Sequence, residues 1–252
     1  MKETTIIERE KIKKLRNPVL IIGLPGIGLI GQVVGKYLAK ESKSKNVASL
    51  YSPYFPHQVL MSKKGTMRLI KNSFYVFRGR KSDILVQVGD IQALSSVGQY
   101  EVAGKVLEYA KKHGIKKVIT IGGYSTGTVS DPRRIFAVVS RKESIPPLKK
   151  LGVIFGEAKG SIVGAAGLMP ALASQYGMEG ICILGETHGG YIDTASAKQI
   201  LQLLSKYLDF EVNLKRIDER AKKSEKAIRQ LEEEIKKNME MPEQPHKVSY
   251  IR

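Results

Sequence analysis

Residues 26–31 have the spacing of a phosphate-binding turn. They read G-I-G-L-I-G, follow an apolar run and precede apolar residues at helical spacing. Glycines let the backbone approach phosphate oxygens, and a helix N-terminus offers free N–H groups, so Gly26, Gly28 and Gly31 form a candidate anion-binding turn. No acidic residue stands about 20 positions later to bind a ribose, as a dinucleotide site requires. Two interpretations stay open: an anion site, or a close strand-to-helix turn.

A second candidate for chemistry is the loop that holds Glu186 and His188. The pair follows an apolar run, where α/β sheets bind ligands, and could exchange protons with a substrate. The alternative is a loop histidine beside turn-forming glycines. Cys182 lies inside the apolar segment ICIL, which favours a core position over a nucleophile. With one cysteine and four histidines in no metal-ligand spacing, we expect no metal site. The candidate residues form no recognisable catalytic trio, and we expect no catalytic residue and no cofactor.

The elements that would position these residues alternate between strands and helices. Apolar runs predict buried strands at 18–24, 47–51, 83–89, 116–122, 134–140 and 180–185, and residues 53–80 predict further strands. Helical spacing predicts helices at 29–41, 95–113, 161–176 and 194–208, with Ser95 and Thr194 as N-caps. This alternation predicts an α/β fold with three α/β/α layers and a mostly parallel central sheet.

The charge of the chain is large and unevenly placed. The formal net charge is +18, and residues 1–81 hold 17 Lys and Arg against 4 Asp and Glu. Such a field favours acidic partners, although a solvated, thermophile-like surface would have the same composition. No zinc finger, RNP strand or helix-turn-helix pattern accompanies the charge, so we do not expect nucleic-acid binding. No apolar run reaches the roughly 18–20 residues of a membrane span, and we expect a cytoplasmic protein with no membrane partner.

The composition changes after residue 211. Residues 212–241 hold no Gly or Pro and predict a helix with a heptad seam, which suits pairing between subunits or folding back on the same domain. We therefore expect a core domain at 1–211, a heptad-patterned helix at 212–241 and a flexible tail at 242–252. The apolar residues of the seam are Leu214, Ile217, Ala221, Ile228, Leu231 and Ile235.

Several long segments resemble one family in order. They are GLPGIGLIGQVVGKYLA at 23–39, GDIQALSSVGQYEVAGKVLEYAKKHGIKKVITIGGYSTG at 89–127, GSIVGAAGLMPALASQYGMEGICILGET at 160–187 and the D-x-A-x-A-K pattern at 193–198. Together they resemble archaeal members of the proteasome-assembly-chaperone family. The resemblance implies a core related to the nucleoside-phosphorylase fold, symmetric homo-oligomers and no catalysis. It also implies binding to the α-subunits of the proteasome core particle, as an assembly factor or an ATP-independent activator.

The family contacts its partner through a C-terminal tripeptide of the pattern hydrophobic-Tyr-any. Here the chain ends Val248-Ser-Tyr250-Ile251-Arg252, so tyrosine is third from the end and serine precedes it. The resemblance makes Val248, Tyr250, Ile251 and Arg252 the candidate contact residues. The displaced tyrosine leaves open a scaffold that pairs with a sister chaperone and never contacts the core particle. A ligand-binding enzyme that uses the turn at residues 26–31 is a further alternative.

Overall fold

The computed structural model describes residues 1–41, 44–127, 129–157, 160–215, 217 and 219. Ten strands and five helices occur in these residues. The strands are β1 Thr5–Glu8, β2 Val19–Gly23, β3 Lys45–Tyr51, β4 Val59–Met61, β5 Met67–Leu69, β6 Asn72–Arg78, β7 Asp83–Gly89, β8 Lys117–Ser125, β9 Ile135–Val139 and β10 Glu179–Thr187. The helices are α1 Ile30–Glu41, α2 Ser96–Lys112, α3 Ile145–Lys149, α4 Ala165–Ala173 and α5 Thr194–Leu208.

Eight strands form one mixed sheet in the order β1-β3-β6-β7-β2-β8-β10-β9. The four neighbouring strands β7, β2, β8 and β10 run parallel to one another. The outer strands pair antiparallel, with β9 on β10 at one side and β6, β3 and β1 in succession at the other. The predicted parallel sheet is therefore confirmed at the centre, where both faces are covered by apolar side chains.

Helices cover both faces of the sheet and produce three layers. One apolar cluster joins α1 and α5 to strand residues such as Ile21, Val86 and Ile119. The other joins α2 and α4 to the opposite face, through residues such as Leu20 and Leu85. Because successive strand side chains point to opposite faces, each central strand contributes to both clusters. The mixed α/β, three-layer arrangement is thus confirmed, whereas the likeness to nucleoside phosphorylases stays a prediction.

The short helix α3, an edge strand and a helix cap depart from the sequence-based expectations. The N-terminal strand β1 was not predicted, because its residues T-I-I-E hold only two apolar side chains and it pairs at the sheet edge. The N-cap of α5 was also assigned wrongly. Asp193, not Thr194, is the capping residue, and its Oδ1 accepts a hydrogen bond from the Ser196 backbone N–H at 2.9 Å. The predicted Ser95 cap of α2 is confirmed, since Ser95 Oγ accepts from the Gly98 N–H at 3.1 Å.

The first part of the heptad seam packs on its own subunit. Leu214 lies partly buried against the cluster that holds α1 and α5, and Ile217 is fully buried within it. The Tyr37 hydroxyl donates to the carbonyl oxygen of Asn213 and ties the same segment to α1. The start of the seam thus contacts the domain from which it emerges. Four other seam residues lie outside the described residues: Ala221, Ile228, Leu231 and Ile235. The four tail residues Val248, Tyr250, Ile251 and Arg252 also lie outside them.

Helices long and apolar enough to cross a bilayer are absent from the part of the chain that the structure describes.

Candidate functional site

The glycine turn at residues 26–31 connects β2 to α1 at the carboxyl end of the parallel strands. Gly26 is extended, with φ −165°, and a single 3₁₀ turn follows at Ile27–Leu29. Gly28 within that turn has φ +63°, a left-handed conformation that glycine adopts without strain. Leu29 also has a positive φ, of 49°. The backbone is therefore held in an unusual conformation immediately before α1.

The glycines of this turn allow close packing. A Cβ at Gly31 would lie 2.5 Å from the Ile121 carbonyl oxygen and 2.8 Å from that of Leu24, so only glycine fits between α1 and the strands. A Cβ at Gly28 would lie 2.9 Å from Thr187 Oγ1. The Gly28 carbonyl oxygen accepts a hydrogen bond from the Asp193 N–H at 3.0 Å, which joins the turn to the start of α5. The close-turn interpretation therefore accounts for Gly28 and Gly31, and anion binding stays a prediction.

A cleft of about 660 Å³ opens beside the turn, at the carboxyl ends of β2, β8 and β10. Its lining is mainly apolar or glycine, and Tyr124 alone among the described lining residues has a titratable side chain. Gln92 lies in the wall, and both ends of its amide bind backbone groups. Nε2 donates to the Pro25 carbonyl oxygen at 2.6 Å and Oε1 accepts from the Ala165 N–H at 2.9 Å. The cleft thus offers space without converging acid and base groups.

Glu186 lies at the end of β10 and is 1 % exposed. Its carboxylate accepts from Arg134 Nη2 at 2.7 Å and Nε at 3.0 Å, and from the backbone N–H groups of Ser130 and Arg134, each at 3.1 Å. Burial alone would raise the pKa of Glu186, but these donors stabilise the ionised form and lower it to about 2. Glu186 is therefore a permanent anion that anchors the loop before β9 and is unsuited to proton exchange near neutral pH.

A second buried carboxylate pairs with the neighbouring arginine, Arg133. Asp193 is 2 % exposed, and its Oδ2 lies 3.3 Å from Arg133 Nε. The Arg133 guanidinium also donates to the Ser130 carbonyl oxygen at 2.7 Å. Adjacent arginines thus hold two carboxylates, one at the end of β10 and one at the start of α5, and the second also caps α5. The arrangement positions backbone and leaves neither acid free.

The other candidate side chains are not brought into this network. The His188 ring is exposed and stacks on Tyr191, with ring centroids 5.8 Å apart. Cys182 is 2 % exposed, and burial raises the pKa of its thiol to about 11. The prediction that Cys182 is a core residue is confirmed, and the Glu186–His188 pair does not form a catalytic unit. Among the described residues, acids, histidines and cysteines form no group that could hold a metal ion.

The sequence interpretation missed Arg133, Arg134 and Asp193. These side chains pair with partners 52 to 60 positions away along the chain. The one local signal was the Arg-Arg dipeptide next to a polar loop, and such a dipeptide is equally typical of an exposed surface.

The chain is similar to known archaeal proteins over more than nine-tenths of its length. The chain is 38 % identical to Pyrococcus furiosus PbaB, an archaeal proteasome activator, with a TM-score of 0.86 over 92 % of this chain and 100 % of that one. It is 26 % identical to P. furiosus PbaA, an archaeal homologue of proteasome-assembly chaperone, with a TM-score of 0.76 over 94 % and 95 % of the two chains. It is also 35 % identical to the uncharacterized protein MJ1210 of Methanocaldococcus jannaschii, over 95 % of this chain and 94 % of that protein.

The family assignment rests on most of the chain. The profile of the PAC2 family matches residues 20–232, which include the central strands, the glycine turn and α1 to α5. The resemblance that the sequence motifs indicated is confirmed by this match. The chain belongs to the PAC2 family.

Proposed function

We propose that this protein is a non-enzymatic proteasome assembly chaperone or ATP-independent activator that binds the α-ring of the core particle through its C-terminal tail. The observation that carries the proposal is the similarity to the proteasome activator PbaB, at 38 % identity over 92 % of this chain and the full length of that one. The TM-score of 0.86 shows that the two proteins share the whole domain fold. The similarity supports the proteasome as the partner, and the tail residues that would contact it are proposed below.

The side chains of the domain support a binding protein over an enzyme. The carboxylates at the carboxyl ends of the strands, Glu186 and Asp193, are buried and paired with arginines. The cleft beside the glycine turn is lined mainly by apolar residues and glycine. An enzyme of this architecture would place ionisable groups in that cleft with access to a substrate. The ligand-binding alternative therefore gains no support from these residues.

The tail supplies the proposed contact. Tyr250 would fill an apolar cleft between two α-subunits, and the Arg252 carboxylate would pair with a lysine there, with Ile251 and Val248 alongside. Several tails on one homo-oligomer would act together, so that weak single contacts give useful avidity. The seam residues beyond Ile217 would join the subunits, because Leu214 and Ile217 already pack on their own domain.

Removal of the tail tests the contact. We expect a variant that lacks residues 247–252 to lose co-sedimentation with core particles and to lose stimulation of peptide hydrolysis by them. The Tyr250→Ala variant should show the same loss, and His246→Ala is the matched control in the same segment. Unchanged binding by the truncated chain would contradict the tail mechanism.

The displaced tyrosine permits a gain-of-binding experiment. Removing Arg252 makes Tyr250 the second residue from the end, and Ser249→Leu in the same chain restores the hydrophobic-Tyr-any pattern. We expect this double change to bind core particles more tightly than the natural chain. If it binds no better, and affinity purification from native extract recovers a sister chaperone without core particles, the scaffold alternative is favoured.

A further inference from the structure

The hairpin formed by β4 and β5 has one face made only of apolar side chains. The two strands form their own sheet, in which Val59 is opposite Leu69 and Met61 is opposite Met67. Because side chains alternate along a strand, these four residues share one face, and Leu60 and Arg68 share the other. We call the four residues Val59, Met61, Met67 and Leu69 the hairpin apolar face.

The hairpin is oriented with this face away from the domain. Arg68, on the opposite face, binds Asp90 at the end of β7 through two contacts, Nη1 to Oδ2 at 2.6 Å and Nη2 to Oδ1 at 3.0 Å. Because two nitrogens bind two oxygens, this contact fixes the orientation of the Arg68 side chain as well as its distance from Asp90. Met61 and Met67 are 87 % and 73 % exposed. The apolar face is therefore directed to solvent by an ion pair on its reverse side.

Positive charge lies at the tip of the hairpin and in a cleft on its domain side. Residues 57–71 include Lys63 and Lys64 at the tip, Arg68 and Lys71, and no acidic residue. At the base of the hairpin, a cleft of about 510 Å³ is lined by Lys36, Lys40, Arg68 and Lys71. Asp90 is the one acid among the described residues of that lining, and Arg68 already neutralises it. A ligand that covers the apolar face and continues around the base of the hairpin would meet apolar contacts first and unneutralised cations next.

These properties select the kind of partner. Methionine side chains are flexible and polarisable, and they are frequent at surfaces that adapt to a binding partner. A phosphate backbone would pair with the lysines but leave the apolar face exposed to water. A second copy of this chain that docked through its own hairpin would bring Lys63 and Lys64 against the same two lysines, so like charges would meet at this surface. A protein segment with both acidic and apolar side chains satisfies both parts of the surface.

We propose that the β4–β5 hairpin and the basic cleft at its base form a docking surface for a protein segment, from a partner other than this chain, that carries both apolar and acidic side chains. The apolar side chains of the segment would cover Met61 and Met67, and its carboxylates would pair with Lys63, Lys64 and the lysines of the cleft. This surface is separate from the C-terminal tail, so it goes beyond the proposed function and does not depend on it.

Binding of synthetic peptides to the full chain tests this proposal without any core particle. The probes are fluorescein-labelled peptides in which leucine alternates with glutamate, leucine with lysine, and serine with glutamate. We expect the leucine–glutamate peptide alone to raise the fluorescence anisotropy, with weaker binding at high salt. The double variants Met61→Ser with Met67→Ser and Lys63→Glu with Lys64→Glu should each weaken that binding by at least about tenfold.

Matched variants separate the hairpin from the general charge and apolarity of the chain. Lys149→Glu with Lys150→Glu makes the same change of charge on the exposed α3 surface, and Leu151→Ser with Ile192→Ser removes exposed apolar side chains elsewhere. Both controls should bind like the natural chain. Equal weakening by hairpin and control variants would overturn the proposal. So would self-association, or binding to vesicles containing phosphatidylserine, that the Met61→Ser/Met67→Ser variant abolishes.

Discussion

The carboxyl edge of the central sheet and the β4–β5 hairpin use their side chains in opposite ways. At the sheet edge, Glu186 and Asp193 are almost fully buried and bound to arginines. On the hairpin, every strand residue is exposed. Glu186, a candidate for chemistry in the sequence, therefore holds backbone in place, whereas the β4–β5 hairpin is the surface proposed to dock a partner. A reactive residue type indicates a functional site only when the structure shows that its side chain is not already bound to other residues of the chain.

The largest effect should come from removing the buried carboxylate of Glu186. We expect Glu186→Ala to lower the free energy of unfolding by about 3 kcal/mol, because the Arg134 guanidinium and two N–H groups lose their acceptor. Glu157→Ala is the matched control, since Glu157 lies 3.9 Å from the same arginine but is 61 % exposed. That variant should lose less than about 0.5 kcal/mol. Urea unfolding measures both free energies. Similar losses for Glu186→Ala and Glu157→Ala would contradict the greater contribution expected of the buried carboxylate.

Acid should lower the stability of the fold, because the pKa of Glu186 is lower in the folded than in the unfolded chain. Glu186 has a pKa of about 2 when folded, against 4.5 for the free side chain. Between these values the unfolded chain binds more protons, so stability is complete above about pH 5 and falls as the pH drops toward 2, by up to about 3 kcal/mol. The Glu186→Gln variant should lack this part of the pH dependence. Parallel curves for the two proteins in urea unfolding at a series of pH values would contradict the assignment.

The glycine turn allows a sharper test of packing against ligand binding. Gly31→Ala should destabilise the fold by about 2 kcal/mol, since the new Cβ would press on two backbone carbonyl oxygens. Gly26→Ala should change stability by less than about 0.5 kcal/mol, because Gly26 is extended and its Cβ would be 4.0 Å from the nearest atom. Thermal unfolding of both variants checks the difference. A Gly31→Ala protein as stable as the natural chain would contradict the close-packing role of Gly31 and would favour the anion-site interpretation.

The two adjacent residues at the start of α5 should differ as well. Asp193→Ala removes the N-cap and the partner of Arg133, and should cost about 1–2 kcal/mol. The Thr194 hydroxyl is buried with no hydrogen-bond partner among the described residues, so Thr194→Val should be close to neutral. Chemical denaturation of the two variants measures the contrast. A greater loss at Thr194 would restore the cap that the sequence suggested.

The smallest effect on stability should come from the hairpin. Met61→Ser with Met67→Ser should leave the free energy of unfolding within about 0.5 kcal/mol of the natural chain, because both side chains are already exposed. The same variant should lose peptide binding, as proposed above. A marked loss of stability would show instead that the hairpin apolar face packs against the domain.

Local sequence patterns predicted much of the scaffold. The apolar runs located the central strands β2, β7, β8 and β10, because strands buried on both faces must be apolar throughout. Ser95 identified the start of α2, since its hydroxyl bonds a backbone N–H only three positions away. The edge strand β1 escaped notice because its pairing with β3 depends on a distant segment rather than on its own composition.

The sequence by itself determined the layered α/β architecture, the family and the concentration of positive charge in residues 1–81, because these depend on local pattern and composition. Only the tertiary structure decided that Glu186 and Asp193 are structural anions, since their arginine partners lie more than 50 positions away in sequence. It also decided that Val59, Met61, Met67 and Leu69 face solvent. Alternation along a strand defines two faces, but only the ion pair between Arg68 and Asp90 fixes which of them meets the domain.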